Sequence, residues 1–237
     1  MEKAFGLVLK SIKYGDTSLI AYIYTREFGM LSLLFKGFFS SKNKSLRLLT
    51  YPLVPVEFSF KPNKKSSLIL PRQPQAYLSW NETLENPVKL MMLQFLAEIL
   101  HNVLREDDIN PKLFDFIYNQ LNIFNEKKHH FAEFHLILLM KLTQFMGFSP
   151  MKNSDGKFFR LTEGDFTHHQ NSDFSLNEIE TQNWKKLLDC SFSPDYQNQF
   201  NRTHREQLLH SLILYFQIHI SSFKEPDALT IIKEILE

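Results

Sequence analysis

The chain has 237 residues, 43% of them hydrophobic and 22% charged, with 23 phenylalanines and one cysteine, Cys190. That length gives one or two domains around a sizeable, aromatic-rich core, and the single cysteine excludes an internal disulfide or a multi-cysteine metal site. The net charge of +1 hides an asymmetry: residues 1–75 carry 12 Lys and Arg against 4 Asp and Glu, a balance of +8, while the remainder carries 15 against 22, or −7.

Residues 3–76 read as β structure. Phe5 to Ile12 is a short apolar run, and Tyr14-Gly15-Asp16 is a turn. Leu19 to Thr25 is rich in β-branched and aromatic residues, Glu27 to Gly29 turns again, and Met30 to Lys36 gives a third strand. From Val56 to Phe60 the pattern alternates, with Val56, Phe58 and Phe60 on one face and Glu57 and Ser59 on the other. Pro52 and Pro55 place the start of that strand at an edge. Ser67 to Leu70 is a fifth strand, ending at Pro71. Five short strands with one longer connection, Gly37–Tyr51, predict a small closed barrel of the OB type over residues 1–78.

Residues 84–237 read as helices, within an α-helical domain over residues 79–237. Asn86-Pro87 and Asn110-Pro111 each supply an N-cap followed by proline at the first helical position. Leu90, Leu93, Ala97, Leu100 and Leu104 follow the first cap at helical spacing; Leu113, Phe114, Ile117 and Leu121 follow the second. Phe131, Phe134, Leu138, Leu142 and Phe145 form a third stripe, stopped by Gly147. Ser175-Leu176-Asn177-Glu178 and Thr203-His204-Arg205-Glu206 read as capping boxes, the second opening the longest helix. A short helix over Asp227–Leu236 ends the chain. The stretch from 147 to 175 reads as polar and irregular. The fold class expected is therefore α+β and multidomain: an N-terminal five-stranded OB-fold β-barrel followed by an α-helical domain. No signal-peptide pattern opens the chain and no apolar run approaches 18 residues, so a cytoplasmic protein is expected.

Catalysis has little support. There is no phosphate-cradling loop ending in Lys-Ser or Lys-Thr, and no Gly-x-Ser-x-Gly elbow. Cys190, late in a predicted helix, reads as a structural thiol. His168-His169 near Asp165 and Asp173 is either a metal site or an ordinary solvated loop, and His129-His130 with Glu133 is a weaker version of the same choice. No catalytic residue, metal or cofactor is assigned.

The basic constellation says more. Lys36 ends a strand; Lys42, Lys44 and Arg47 lie in the long connection; Lys61, Lys64 and Lys65 lie between strands four and five. A lysine on a turn is ordinarily just solvated. Seven basic residues in two loops, with no acid between Lys36 and Arg47 or between Lys61 and Lys65, suit a polyanion, because each neutralised phosphate releases a counterion. Phe38 and Phe39 follow directly, and Tyr14, Tyr22 and Tyr24 lie on the first hairpin. These rings either stack on bases or fill the barrel and its interface with the helices.

Three pieces of the first third, Tyr14-Gly15-Asp16-Thr17-Ser18-Leu19-Ile20, Thr25-Arg26-Glu27-Phe28-Gly29 and Lys36-Gly37, resemble the N-terminal domain of the RecO family of bacterial recombination mediators. The helix Leu209-His210-Ser211-Leu212-Ile213-Leu214-Tyr215-Phe216-Gln217-Ile218-His219-Ile220, continuing through Phe223-Lys224 to Pro226 and Leu229, looks like the family's C-terminal pattern. Gly147-Phe148-Ser149-Pro150 sits where the family ends a helix before an inserted zinc module. Many members carry four cysteines there; residues 147–175 here contain none, so no zinc is expected, and Lys157-Phe158-Phe159-Arg160-Leu161 with Phe166 offers an apolar plug instead.

The resemblance implies DNA repair and homologous recombination without covalent chemistry, in the cytoplasm at the nucleoid. It implies binding of single- and double-stranded DNA, annealing of complementary strands and, with RecR, loading of RecA onto DNA coated by single-strand-binding protein. Engagement of RecA and RecF would be indirect, and no membrane is involved. The DNA surface would comprise Lys10, Lys13, Arg26, Lys36, Lys42, Lys44, Arg47, Lys61, Lys64 and Lys65 with Phe38 and Phe39. The acidic, hydrophobic tail of single-strand-binding protein needs an apolar pocket rimmed by cations, for which Lys185, Lys186, Arg202 and Arg205 are the candidates. An OB-type RNA-binding factor and a helical protein-interaction scaffold remain the alternatives.

Overall fold

The structure is a computed structural model and describes residues 1–40, 44–62, 68–77, 80–105, 109–151, 155–169 and 174–235. It divides into two compact units, Met1–Asn119 with Pro226–Ile232, and Gln120–Glu225 with Lys233–Glu237.

In the first unit one long strand organises the rest. β1 (Glu2–Tyr14) pairs antiparallel with β2 (Ser18–Thr25), which pairs with β3 (Gly29–Phe35). On its other side β1 pairs with β4 (Pro55–Phe60), which pairs with β6 (Arg72–Ala76). β5 (Leu68–Ile69) adds to β3 in parallel. The order is β5-β3-β2-β1-β4-β6.

The register of β1 slips between Val8, opposite Ile23, and Lys10, opposite Tyr22. Leu9 is the extra residue of a β-bulge, which exchanges the two faces for the rest of the strand. Without it Lys10 would stand opposite Ala21, a fully buried core residue; with it, Ser11 does. Gly6 also lies on the core face, where a Cβ would come within 2.5 Å of Ile23 Cγ2 and 2.8 Å of the Tyr24 carbonyl oxygen. Glycine is therefore required for the two strands to pair there.

The core face of the sheet buries Ala4, Val8, Ala21, Ile23, Leu33, Val56, Phe58 and Phe60 together with Phe38 and Leu49 from the connection. Leu49 belongs to a 3₁₀ helix, Lys44–Thr50. The opposite face meets helices. The Phe5 ring lies 5.8 Å from Phe114 and 5.3 Å from Tyr118, and Tyr24 lies 5.7 Å from Phe114. Tyr22 packs edge-on to His101 at 5.1 Å. Both faces of β1 and β2 are thus covered, which explains their nearly continuous apolar sequences. α1 (Asn81–Leu84), α2 (Pro87–Val103) and the beginning of α3 (Pro111–Glu126) belong to this unit. The two expected proline starts are present: Asn86 Oδ1 accepts from Val88 and Lys89 N–H (3.0 and 3.2 Å), and Asn110 Oδ1 from Leu113 N–H (3.0 Å). Pro226–Ile232 rejoins the unit, where Ala228 N–H donates to the Glu98 carboxylate at 3.0 Å.

A β-rich first part followed by helices is as the sequence predicts, but the five-stranded closed barrel is not. The sheet has six strands and does not close. β6, with the sequence Arg-Gln-Pro-Gln-Ala, has no apolar alternation to reveal it, and its proline is tolerated because the strand is an edge. A second register slip, between Glu57 and Ser59, and the left-handed backbone of Gln73 (φ 48°) accompany this pairing. Side chains rather than a ladder finish the core: Phe28, in the β2–β3 turn, packs edge-on against Phe60 at 5.1 Å.

The second unit is built on α4 (Phe134–Phe145), α5 (Glu178–Asp189) and α6 (Arg202–His219). α4 is buried almost all round, and Gly147 (φ 83°) follows its end. The buried Glu133 before it accepts hydrogen bonds from the Tyr196 hydroxyl and from the backbone N–H of Gln199 and Phe200 (2.9 and 2.7 Å). This pins the loop before α6 to the start of α4. Both capping motifs lie two residues from where the sequence suggests. Asn177 caps α5 in a box with Glu180, because Ser175–Leu176 is drawn into a strand, and Asn201 caps α6 through His204 N–H (2.9 Å). Glu206 is thereby left to pair with Arg202. The last helix, α7, spans Leu229–Ile235.

The stretch expected to be irregular contains a small antiparallel sheet. β7 (Phe158–Arg160) pairs with β8 (Asp165–Thr167) and β9 (Ser175–Leu176), in the order β8-β7-β9. Strands of two or three residues are too short for any periodicity to show. Arg160 reaches across the hairpin to Asp165 with a two-pronged ion pair (2.8 and 2.5 Å). Phe159 is fully buried, its ring 4.5 Å from Trp184, 4.8 Å from Phe166 and 5.9 Å from Tyr215. The tyrosine and histidine of α6 hold this layer: the Tyr215 hydroxyl donates to the Phe148 carbonyl (2.7 Å), and His219 stacks on the Phe148 ring and hydrogen-bonds the Leu161 carbonyl oxygen (2.9 Å). Burial pushes the Tyr215 hydroxyl pKa upward. Among the described residues no helix is long and apolar enough to cross a membrane.

Burial, and secondarily the charge of Arg205, lowers the pKa of His135 to about 3. The unfolded chain therefore takes up a proton near pH 6.5 that the folded chain refuses. Stability is full above that pH and falls by about 1 kcal/mol per unit toward pH 3. Denaturant melts of H135Q should show a shallower acid slope than wild type by that amount; parallel profiles would contradict it. Phe159→Ala should cost about 3–5 kcal/mol, whereas a chelator should leave the wild-type melting temperature unchanged. A stoichiometric metal that resists dialysis would refute the second expectation.

Candidate nucleic-acid interface

The strand register brings several chain turns to one end of the first unit's sheet. Tyr14 pairs with Ser18 across the β1–β2 hairpin, and Leu19 pairs with Phe35, so β3 ends beside the hairpin tip. Gly15 (φ 59°) and Gly37 (φ 65°) make the two turns, in a left-handed conformation that glycine adopts without strain. Phe39 N–H donates to the Thr17 carbonyl (3.0 Å), stitching one turn to the other. The Ser11 hydroxyl donates to the Leu49 carbonyl (2.5 Å), fixing the 3₁₀ helix beside β1.

The side chains at this end are basic and aromatic. Lys10, Lys13, Lys36 and Arg47 are exposed, and among the described residues none of them makes an ion pair. Phe38 and Phe39 divide: Phe38 is 5% exposed and joins the core, while Phe39 is 48% exposed. The Lys13 ammonium lies 5.9 Å from the centre of the Phe39 ring. Tyr14 is 52% exposed and Tyr51 is also at the surface. Tyr24 is fully buried and Tyr22 half-buried against His101, so both serve the interface with the helices. Lys10 is on that same face; burial first, and then the Lys10 charge, lowers the His101 pKa. Asp16, in the hairpin tip, is the acid nearest in sequence.

Other candidates lie elsewhere. Arg26 grips Asp115 with two hydrogen bonds (2.7 and 2.9 Å), which raises its own pKa and holds that carboxyl below the usual range. It ties the β2–β3 turn to α3. Lys61 follows the end of β4, whose Phe60 pairs with Glu2. It therefore stands at the other end of β1 from Lys13, about 35 Å away along the strand. Lys44 begins the 3₁₀ helix; Lys42, Lys64 and Lys65 lie outside the described residues.

In the second unit, Lys185 donates to the Gly156 carbonyl (2.8 Å) and lies 4.9 Å over Phe166, and Arg205 donates to the Phe200 carbonyl (2.9 Å). Lys186 is exposed. Arg202 pairs with Glu206 at 2.8 Å, on the rim of a cavity of about 640 Å³. Leu161, Phe174, Leu176 and Leu214 supply its apolar wall, and Lys233 a second cation, with Glu180 and Glu234 also on the lining. Lys233 escapes sequence reasoning because it is a lone lysine in a short terminal helix. Among the described residues no three His, Cys, Asp or Glu side chains gather as a metal site. His168 and His169 are exposed, Asp165 is engaged by Arg160, and Asp173 lies outside the described residues. Burial raises the Cys190 thiol pKa, which disfavours a reactive thiolate.

Residues 1–71 match the sequence model of the recombination protein O N-terminal family, and residues 84–225 match that of its C-terminal family. Among curated proteins, the chain is 32% identical to a DNA repair protein RecO of Flavobacterium psychrophilum, over 98% of both chains. It is 32% identical to that of Flavobacterium johnsoniae, again over 98% of both, and 28% identical to that of Bacteroides fragilis over the full length of both. The likeness thus covers the sheet, the helices and the small sheet alike, and the chain belongs to the RecO family.

Proposed function

We propose that this chain is a DNA repair and recombination mediator that works by binding rather than by catalysis. The observation that carries this reading is the basic end of the first unit's sheet, whose cations make no ion pair among the described residues, with exposed rings beside it, in a chain whose relatives are named DNA repair proteins. Lys13, Lys36 and Arg47 neutralise phosphates of single or double strands without reading sequence, and Lys10, on the helix-facing side of β1, stands apart from them. Annealing needs two strands held close with their bases free to pair, so backbone charge must dominate over deep base pockets. Cations and rings exposed at the surface suit that requirement. With RecR, the bound protein would help RecA load on DNA coated by single-strand-binding protein. For the tail of that protein, the cavity bearing Arg202 and Lys233 offers an apolar wall; its two cations share the lining with Glu180, Glu206 and Glu234, so it suits the apolar part of the tail rather than its acidic part.

If about four to six phosphates are neutralised, affinity for single strands should fall with a log–log salt slope of about −3 to −4. Reversing Lys13, Lys36 and Arg47 to Glu together should weaken binding to all sequences alike and flatten that slope. Undiminished affinity in the triple variant would move the site elsewhere. The wild-type protein should also speed annealing of complementary oligonucleotides without ATP, as read by fluorescence transfer between labelled strands. Tight binding with no acceleration would leave a passive nucleic-acid-binding protein.

A further inference from the structure

We infer that Phe39 is a stacking platform for one unpaired base, and that it makes this surface favour single strands over duplex. The inference rests on the nucleic-acid reading of the same end of the sheet.

An isolated exposed phenylalanine needs no explanation. Phe39 is neither isolated nor loose. Four aromatic side chains are strongly exposed among the described residues, and three of them, Tyr14, Phe39 and Tyr51, lie on this hairpin tip, the adjoining turn and the end of the 3₁₀ helix. The Phe39 backbone is held by its hydrogen bond to Thr17, and its ring packs at 84° on the buried Phe38, centroids 5.0 Å apart. Adjacent residues in the turn thus have opposite tasks: Phe38 anchors the turn in the core, and Phe39 is left presented outside. A ring already fixed in place loses little freedom when a ligand stacks on it.

The chemistry of the surroundings selects the ligand. Lys13 stands 5.9 Å from the ring centre and the exposed Lys36 opens the same turn, so an apolar flat surface lies beside cations that make no ion pair among the described residues. A planar group attached to phosphate matches both features. In a duplex the base faces are covered by their neighbours and only phosphates and groove edges are offered. Unpaired bases expose their faces and stack on aromatic rings. Charge therefore serves both forms of nucleic acid, and the ring serves single strands alone.

The test is anisotropy with labelled oligo-dT and with a duplex of equal length, using the full chain. Phe39→Leu keeps an apolar side chain at a surface position, so its melting temperature should match wild type. It should lose about 5- to 100-fold in affinity for oligo-dT and nothing for duplex. Phe39→Trp should retain binding, and its emission should be quenched by oligo-dT and not by duplex, over a constant background from the buried Trp80 and Trp184. Equal loss for both ligands in F39L, no loss, or an unquenched F39W would overturn the inference. The pair K13E/K36E separates it from the reading beneath it. If that variant loses both ligands while F39L loses neither, the interface stands and the platform falls. If wild type binds neither ligand, both fall.

Discussion

The first unit depends on one extra residue in its central strand. β1 has to pair on both edges and bury both faces over most of its length, yet it must end as an exposed basic hairpin. A regular strand with this sequence would place Lys10 opposite Ala21, inside the core, at a cost of several kcal/mol for an unpaired buried charge. The bulge at Leu9 exchanges the faces at that point. Leu7, Val8 and Leu9 can then all be buried in succession, Ser11 takes the core-side position, and its hydroxyl fixes the 3₁₀ helix. The geometry of the basic surface follows, because Lys13 is carried to the side where the Phe38–Phe39 turn closes over the end of the core.

The second unit solves a different problem. Its inserted segment has no cysteines, so no multi-thiolate metal site can order it, and two- or three-residue strands cannot stand alone. Order comes instead from rings. Phe159, Phe166, Trp184 and Tyr215 form one contiguous aromatic layer, and Tyr215 and His219 reach from α6 to backbone carbonyls of the segment. Each of these contacts is modest, about 0.5–1.5 kcal/mol beyond area burial for an aromatic pair. Their overlap on a single side chain, Phe159, makes the layer cooperative.

The sequence shows most clearly what is local. The turn glycines Gly15, Gly29 and Gly37, the asparagine–proline helix starts and the alternation of β4 all read directly, because each is decided within a few residues. What escapes it depends on partners distant in sequence. β6 is a strand only because β4 offers an open edge, and the caps at Asn177 and Asn201 depend on where the preceding chain is drawn. The same divide runs through the interface. Clustered basic residues mark the region, but only the three-dimensional register separates Lys13 and Lys36 at one end from Lys61 at the other. Nor can adjacency in the sequence tell which of Phe38 and Phe39 is the anchor. Arg26 reads as one more cation in a turn until Asp115, 89 residues later, is seen to hold it.

Nucleic acid gripped at the end of the sheet where the β1–β2 hairpin, the Phe38–Phe39 turn and the 3₁₀ helix meet should protect that end from amide hydrogen exchange. With saturating oligo-dT, the full chain should show slowed exchange in peptides covering residues 10–18 and 36–51, with β4, β6 and the second unit unchanged. Protection confined to the second unit, or centred on Lys61 at the far end of β1, would contradict that placement.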